Sequence, residues 1–197
     1  MPALHPTIRA PLRETVTARL SLRPLGDGDL GQLVVLFGHR AVWEFEYGRG
    51  LTRDEISRFL DRQMKLWGEC GFGGCGVREI AHPNLIGIVG LGVPPVSLQQ
   101  ALPAVTVGWR FLPTMWGRGY AAKATTAVLG QAFTTMGVDR VGCATNAENR
   151  RSVALATRLG MRPITETRVP NDDGERIITA VVFELTAADW LAALEGE

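Results

Sequence analysis

The residues best placed to do chemistry lie in one short run, PTMWGRGYAAKA, residues 113–124. In it Gly117 and Gly119 flank Arg118, and a helical pattern starts at once with no Ser, Thr, Asp or Asn at the capping position. Glycine reaches backbone angles closed to other residues and lets a ligand approach the main chain. The first turn of a helix leaves N–H groups without intrahelical partners at the positive end of its dipole. Without a polar cap, those donors suit an anion, and a pyrophosphate is the natural occupant. Arg118 adds a positive charge there. A glycine turn that merely precedes a helix is spelled the same way, so the run alone does not decide the matter.

Two other phosphate signatures are tested by spelling. No GxxxxGK[ST] run of the NTPase type exists in the chain. GRGYAA lacks the third glycine of a dinucleotide fingerprint, and its strand lies mid-chain, which is wrong for a doubly wound half. A second run, NRRS at residues 149–152, reads as a helix start. Asn149 or a neighbour caps it, and Ser152 sits one turn in on the same side. Arg150 and Arg151 stand either as a solvated face or as contacts for a ligand's phosphates.

These runs have to be held by regular elements. ARLSLRPL (18–25) alternates as a half-buried strand, and Asp29 is placed to cap a helix through LGQLVVLF. Thr52 followed by Glu55 forms a capping box, and Ile56, Phe59, Leu60, Met64 and Trp67 then recur at helical spacing. GGCGVREI, LIGIVGLG and AVTVGWRFL read as strands, the first two joined by the turn AHPN. After the glycine run, Tyr120, Ala124, Val128, Ala132 and Met136 repeat every fourth residue, a core-facing stripe. A strand (VDRVGCAT), a helix ending at Gly160, two strands joined by the turn NDDG, and a closing helix capped by Thr186 complete the chain.

The expected fold class is therefore α/β with a mixed sheet: antiparallel hairpins at both ends and right-handed parallel strand–helix–strand units in the middle. Residues 1–16 read as a loose N-terminal arm and 17–197 as a single domain. Apolar residues make up 46% and charged residues 21%, an ordinary globular balance. A net charge of +1 gives no footprint for nucleic acid, and no apolar run approaches the ~20 residues that span a bilayer. Cys70, Cys75 and Cys143 are odd in number and lack CxxC spacing, so reduced thiols in a cytoplasmic protein with no metal are expected.

Taken together, RLSLRPLGDGDLGQL, LIGIVGLG, VGWRFLPTMWGRGYAAKA and ATNAENRRSVALATRLGM, in this order, resemble the GNAT superfamily of N-acetyltransferases. Within it they are similar to the branch of the Rim-type ribosomal-protein acetyltransferases. The likeness spans roughly Ala18 to Leu185. It implies a V-shaped opening between two parallel central strands, filled by the pantetheine arm of acetyl-CoA. Phe111 and Leu112 would then present main-chain groups to the acetyl and pantetheine end. Trp116 would lie beside the cofactor, and Gly117, Arg118, Gly119, Tyr120, Ala121 and Ala122 would hold the pyrophosphate. Asn149 would bond the pantetheine, and Ser152 would protonate or stabilise the leaving thiolate. The reaction implied is acetyl transfer to a primary amine, on a protein N-terminus or a small molecule, by direct attack in a ternary complex. A homodimer is common in the family.

Direct attack requires a group that takes a proton from the amine. Many relatives carry a glutamate before the central strand where this chain has Thr106. Near the last strand they carry a histidine and a tyrosine where Ala180 and Phe183 stand here. Glu44 and Glu46, interleaved with Trp43, Phe45 and Tyr47, remain as candidate bases, and the same segment also reads as an edge with its aromatics buried. The three departures motivate an alternative, a catalytically weak acyl-CoA-binding regulatory or interaction protein of the same fold.

Overall fold

The computed structural model of the chain describes residues 8–170, 174 and 176–195. Among these residues, eight strands and five α-helices follow in chain order, with short 3-10 turns between some of them: β1 (Thr15–Val16), β2 (Leu20–Pro24), α1 (Leu30–Phe37), α2 (Arg53–Cys70), β3 (Gly74–Glu79), β4 (Leu85–Gly92), β5 (Val105–Phe111), α3 (Tyr120–Thr134), β6 (Arg140–Asn146), α4 (Arg150–Arg158), β7 (Arg162–Pro170), β8 (Ile177–Thr186) and α5 (Ala187–Glu195). All the strands join one sheet in the order β1-β2-β3-β4-β5-β6-β8-β7. The expected mixed α/β architecture is what is found.

Every neighbouring pair is antiparallel except β5 and β6, which run parallel and are linked through α3. β6 and β7 also point the same way across α4, but β8 is inserted between them, so they do not touch as sheet neighbours. The parallel pair is short. β5 and β6 are in register only at Val105↔Val141 and Thr106↔Gly142, and beyond Thr106 the ladder stops. β4 follows β5 to Phe111, and β8 follows β6 to Asn146. The two central strands therefore diverge, each supported on its outer side.

Alternation along β5 decides what faces that gap. Val107 and Phe111 are buried, with Trp109 packed beside them, in the cluster that α3 lays on one face of the sheet through Tyr120, Ala124, Val128 and Ala132. Arg110 points to the other face and stacks on Trp43, 4.6 Å from the ring centroid. Trp43 belongs to a second cluster that α1 and α2 form with Leu25, Leu85 and Ile88.

Local signals were met unevenly. Thr52 Oγ1 accepts from the Glu55 N–H at 3.3 Å and the Glu55 carboxylate accepts from the Thr52 N–H at 2.7 Å, the expected capping box of α2. The Asp189 N–H donates to Thr186 Oγ1 at 3.1 Å at the start of α5. Asp29, expected to cap α1, does not. Its buried carboxylate instead accepts from Gly26 N–H at 3.1 Å and pairs with the buried Arg78. That ion pair joins two largely buried charges, while Arg78 Nη1 has no hydrogen-bond partner among the described residues.

The described part of the segment read as an arm is tied to the fold. Leu12 is buried, its N–H donates to Gly71 O, Arg9 N–H donates to Met136 O, and Thr15–Val16 extend the sheet. Residues 1–7 and the expected turn at Asn171, Asp172 and Asp173 lie outside the described residues.

Candidate active site

The gap between β5 and β6 opens into a cleft of about 420 Å³, within the ~300–1,000 Å³ usual for small-molecule sites. One end is built by the loop into α3. Gly117 and Gly119 have φ of +74° and +76°, the left-handed region, and a Cβ there would be strained. Among the described residues, no backbone N–H of Gly117 through Ala122 donates to another protein group. Gly119 caps α3 with no side-chain bond. Those donors converge at the positive end of the helix, an arrangement suited to a phosphate or pyrophosphate.

The loop is braced from outside. Tyr120 donates its hydroxyl to Glu79, and that bond, with burial, raises the phenol above its ordinary pKa. Arg19 and Arg118 lie over the same ring at 4.9 and 5.1 Å. Arg118 reaches within 4.0 Å of Glu79 and donates to Met115 Sδ. Its side chain does not line the cleft, contrary to the expectation that it would add charge there. Glu79 and Tyr120 hold it on the outer side.

The β5 edge supplies the middle. Leu112 N–H donates to Ile86 O at 3.0 Å, so alternation turns the peptide groups of Trp109 and Phe111 the other way, toward the side β6 has left. The main-chain pair facing the cleft is thus Trp109 and Phe111, not Phe111 and Leu112. Leu112 packs its side chain against the α1–α2 cluster. The two carbonyls are engaged: Trp116 Nε1 donates to Phe111 O at 2.8 Å, and Arg110 Nη1 to Trp109 O at 2.8 Å. Their amides have no strand opposite.

The far wall is α4. Asn149 Oδ1 accepts from the Ser152 backbone N–H at 3.2 Å, an N-cap, and both residues line the cleft. Arg151, Ala154, Leu155 and Arg158 continue the same face, and the Arg151 guanidinium lies 4.7 Å over the Trp116 ring. The opposite end is closed by Ala41, Val42, Phe45 and Glu46 with Trp109 and Arg110. Glu46 accepts from Arg110 Nη2 at 2.8 Å, and Arg110 Nε and Trp43 Nε1 are buried without hydrogen-bond partners among the described residues.

Of the residues singled out from sequence, the cleft brings together Phe111, Trp116, Gly117, Gly119, Tyr120, Ala121 and Ala122, and across from them Asn149, Ser152 and Glu46. Glu44 is not among them. It faces outward in an ion pair with Arg40 at 3.0 Å, which holds its carboxyl below the usual range. Thr106 sits where β5 and β6 still pair, and Ala180 and Phe183 are buried on β8. None of these three lines the cleft. Sequence reasoning missed the Trp109 amide, Arg110 and Arg158. The i, i+3, i+4, i+7 spacing of Arg151, Ala154, Leu155 and Arg158 was the available signal for the last.

Residues 19–162 match the family described as the acetyltransferase (GNAT) domain. The chain belongs to that family. The uncharacterized N-acetyltransferase YoaA of Bacillus subtilis (strain 168) is 23% identical over 155 residues, covering 74% of this chain and 81% of that protein. A GCN5-related N-acetyltransferase structure from Brucella melitensis superposes with a TM-score of 0.75 at 19% identity, covering 96% of this chain and 86% of its own. A Vibrio cholerae structure, provisionally named a ribosomal-protein-serine acetyltransferase, gives 0.71 at 21% identity, covering 90% and 99%. At such identities the structures share the fold. Family membership makes this chain an acetyltransferase with acetyl-CoA as the implied donor. Among the described residues there is no cluster of metal-ligating side chains, and no helix is long and apolar enough to cross a membrane.

Proposed function

We propose that the cleft binds acetyl-CoA and passes the acetyl group to a primary amine, on a protein N-terminus or a small molecule, by direct attack in a ternary complex. The observation that carries this reading is the set of unpartnered amides from Gly117 to Ala122, opening onto the same cleft as Asn149, Ser152 and Glu46. The pyrophosphate rests on those amides, and the pantetheine runs along the free edge of β5 toward Trp109 and Phe111. Asn149 offers its Nδ2 to the pantetheine, since Oδ1 is spent on the cap. Trp116 releases Phe111 O as the arm enters.

The amine nitrogen attacks the thioester carbonyl, whose oxygen gains charge and is met by a β5 amide. Glu46 accepts the proton the nitrogen loses. The C–S bond breaks, and Ser152 Oγ donates to the departing sulfur. Glu46 is assigned as base over Glu44 because only Glu46 lies on the cleft. We also place the protein in a reducing, cytoplasmic setting, in keeping with an odd number of cysteines without CxxC spacing, and expect a homodimer, readable by light scattering.

One observation favours the second reading, an acyl-CoA-binding protein with little turnover: Glu46 is ion-paired with Arg110 at 2.8 Å. Thiol release measured over a panel of amines separates the two. Enzyme turnover is expected to fall ~100-fold or more in Glu46→Gln and ~10-fold or more in Ser152→Ala, with CoA affinity kept. Firm CoA binding with no turnover on any amine would replace the enzyme reading with the binding one.

A further inference from the structure

An acyl-CoA donor carries two separate anionic groups, the pyrophosphate and a phosphomonoester on the ribose 3′ oxygen. The amides at the start of α3 account for the first. Arg118, the cation nearest them in sequence, is held outside the cleft by Glu79 and Tyr120 and does not serve the second. Two other cations do face the cleft. Arg151 and Arg158 stand seven residues apart on α4, on one face and about 10 Å apart along the axis. Among the described residues neither donates a hydrogen bond nor forms an ion pair. The Arg151 guanidinium lies 4.7 Å from the centroid of the Trp116 ring, a contact that favours its place at the cleft wall. Arg150, their neighbour on the same helix, does not line the cleft.

We propose that Arg151 and Arg158 form the site for the 3′-phosphate of the donor, so that the protein distinguishes CoA from dephospho-CoA. The inference rests on the acyl-CoA reading of the cleft and adds a donor specificity to it. A guanidinium fork matches a phosphomonoester through paired N–H···O bonds, and among the described residues no carboxylate pairs with either cation. Only an exposed stretch of α4 is involved, so the helix needs no rearrangement to present both side chains.

Isothermal titration of the full chain with CoA and with dephospho-CoA tests this, in the unmodified protein and in Arg150→Gln, Arg151→Gln and Arg158→Gln. CoA is expected to bind ~10- to 100-fold tighter than dephospho-CoA. Arg151→Gln and Arg158→Gln should each reduce that preference about tenfold by weakening CoA alone. Arg150→Gln, which removes the same charge from the same turn, should leave both affinities unchanged. Arg158→Gln carries the test by itself if Arg151→Gln also loosens Trp116. Equal affinities in the unmodified protein, a preference undiminished in both Arg151→Gln and Arg158→Gln, or an equal loss in Arg150→Gln would each overturn the inference while leaving acyl-CoA binding in place. Binding of neither nucleotide would remove the reading of the cleft and this inference with it.

Discussion

Two helix N-termini in this chain are built in opposite ways. At α2, Thr52 and Glu55 close a reciprocal box, and Arg49 adds hydrogen bonds of 2.9 and 2.7 Å to the Glu55 carboxylate. At α3, the cap is Gly119 in the left-handed region with no side-chain bond, and the backbone N–H groups of Gly117 through Ala122 have no partner among the described residues. The donors that orphan every helix start are consumed internally in the first case and left available in the second. A helix start that a protein leaves open toward a cleft is a binding feature; one that it closes is a stability feature. α4 stands between them, since Asn149 caps the helix with its oxygen while its amide nitrogen has no partner among the described residues.

The largest expected effect comes from making α3 resemble α2. Gly119→Asp puts a carboxylate acceptor among the open amides, in a left-handed conformation that Asp tolerates better than most residues. Acetyl-CoA affinity should fall by ~100-fold or more in titration calorimetry, while stability without ligand moves by no more than about 1 kcal/mol, strain offsetting cap. Unchanged affinity would break the contrast outright. Asn149→Ala should show both characters at once, about tenfold weaker CoA binding and about 1 kcal/mol lost in urea unfolding. Thr52→Ala should lose about 1 kcal/mol, a fall in melting temperature of about 2–4 °C, with CoA affinity held within a factor of about two.

The smallest effect is a pH dependence at α2. The Arg49 guanidinium, then the Thr52 N–H, hold the Glu55 carboxyl down to about 2. A depressed folded-state value contributes stability that is complete above the unfolded value near ~4.3 and is lost as pH falls toward the folded one. Glu55→Gln should therefore flatten the acid limb of stability between about pH 4 and pH 2, as read by melts across that range. A steep limb that persists would assign acid sensitivity elsewhere than the α2 box.

What could be read from the sequence follows the same division between local and distant causes. The open start of α3 was legible because its signals, Gly117, Gly119 and the missing cap, are neighbours in the chain. The α2 box was legible for the same reason. Asp29 was misassigned because its partner, Arg78, arrives from 49 residues away. Arg118 was expected in the cleft, but Glu79 on β3 and the Tyr120 ring draw it outward. The shift from Leu112 to Trp109 is a matter of phase: alternation was visible, but which phase faces β4 depends on the register with Gly87–Gly92. β1, a two-residue strand, has too short a pattern to register at all.

The most direct measurement is a thermal melt of the protein with acetyl-CoA, CoA, NAD and ATP, each in large excess. A ligand at 100 times its Kd stabilises the native state by ~2.7 kcal/mol, a rise of about 5–10 °C in a chain of this size. The expected result is that rise with acetyl-CoA and CoA alone, lost in Gly119→Asp. No rise with either CoA species, or an equal rise with ATP or NAD, would contradict the assignment of the open α3 terminus to an acyl-CoA donor.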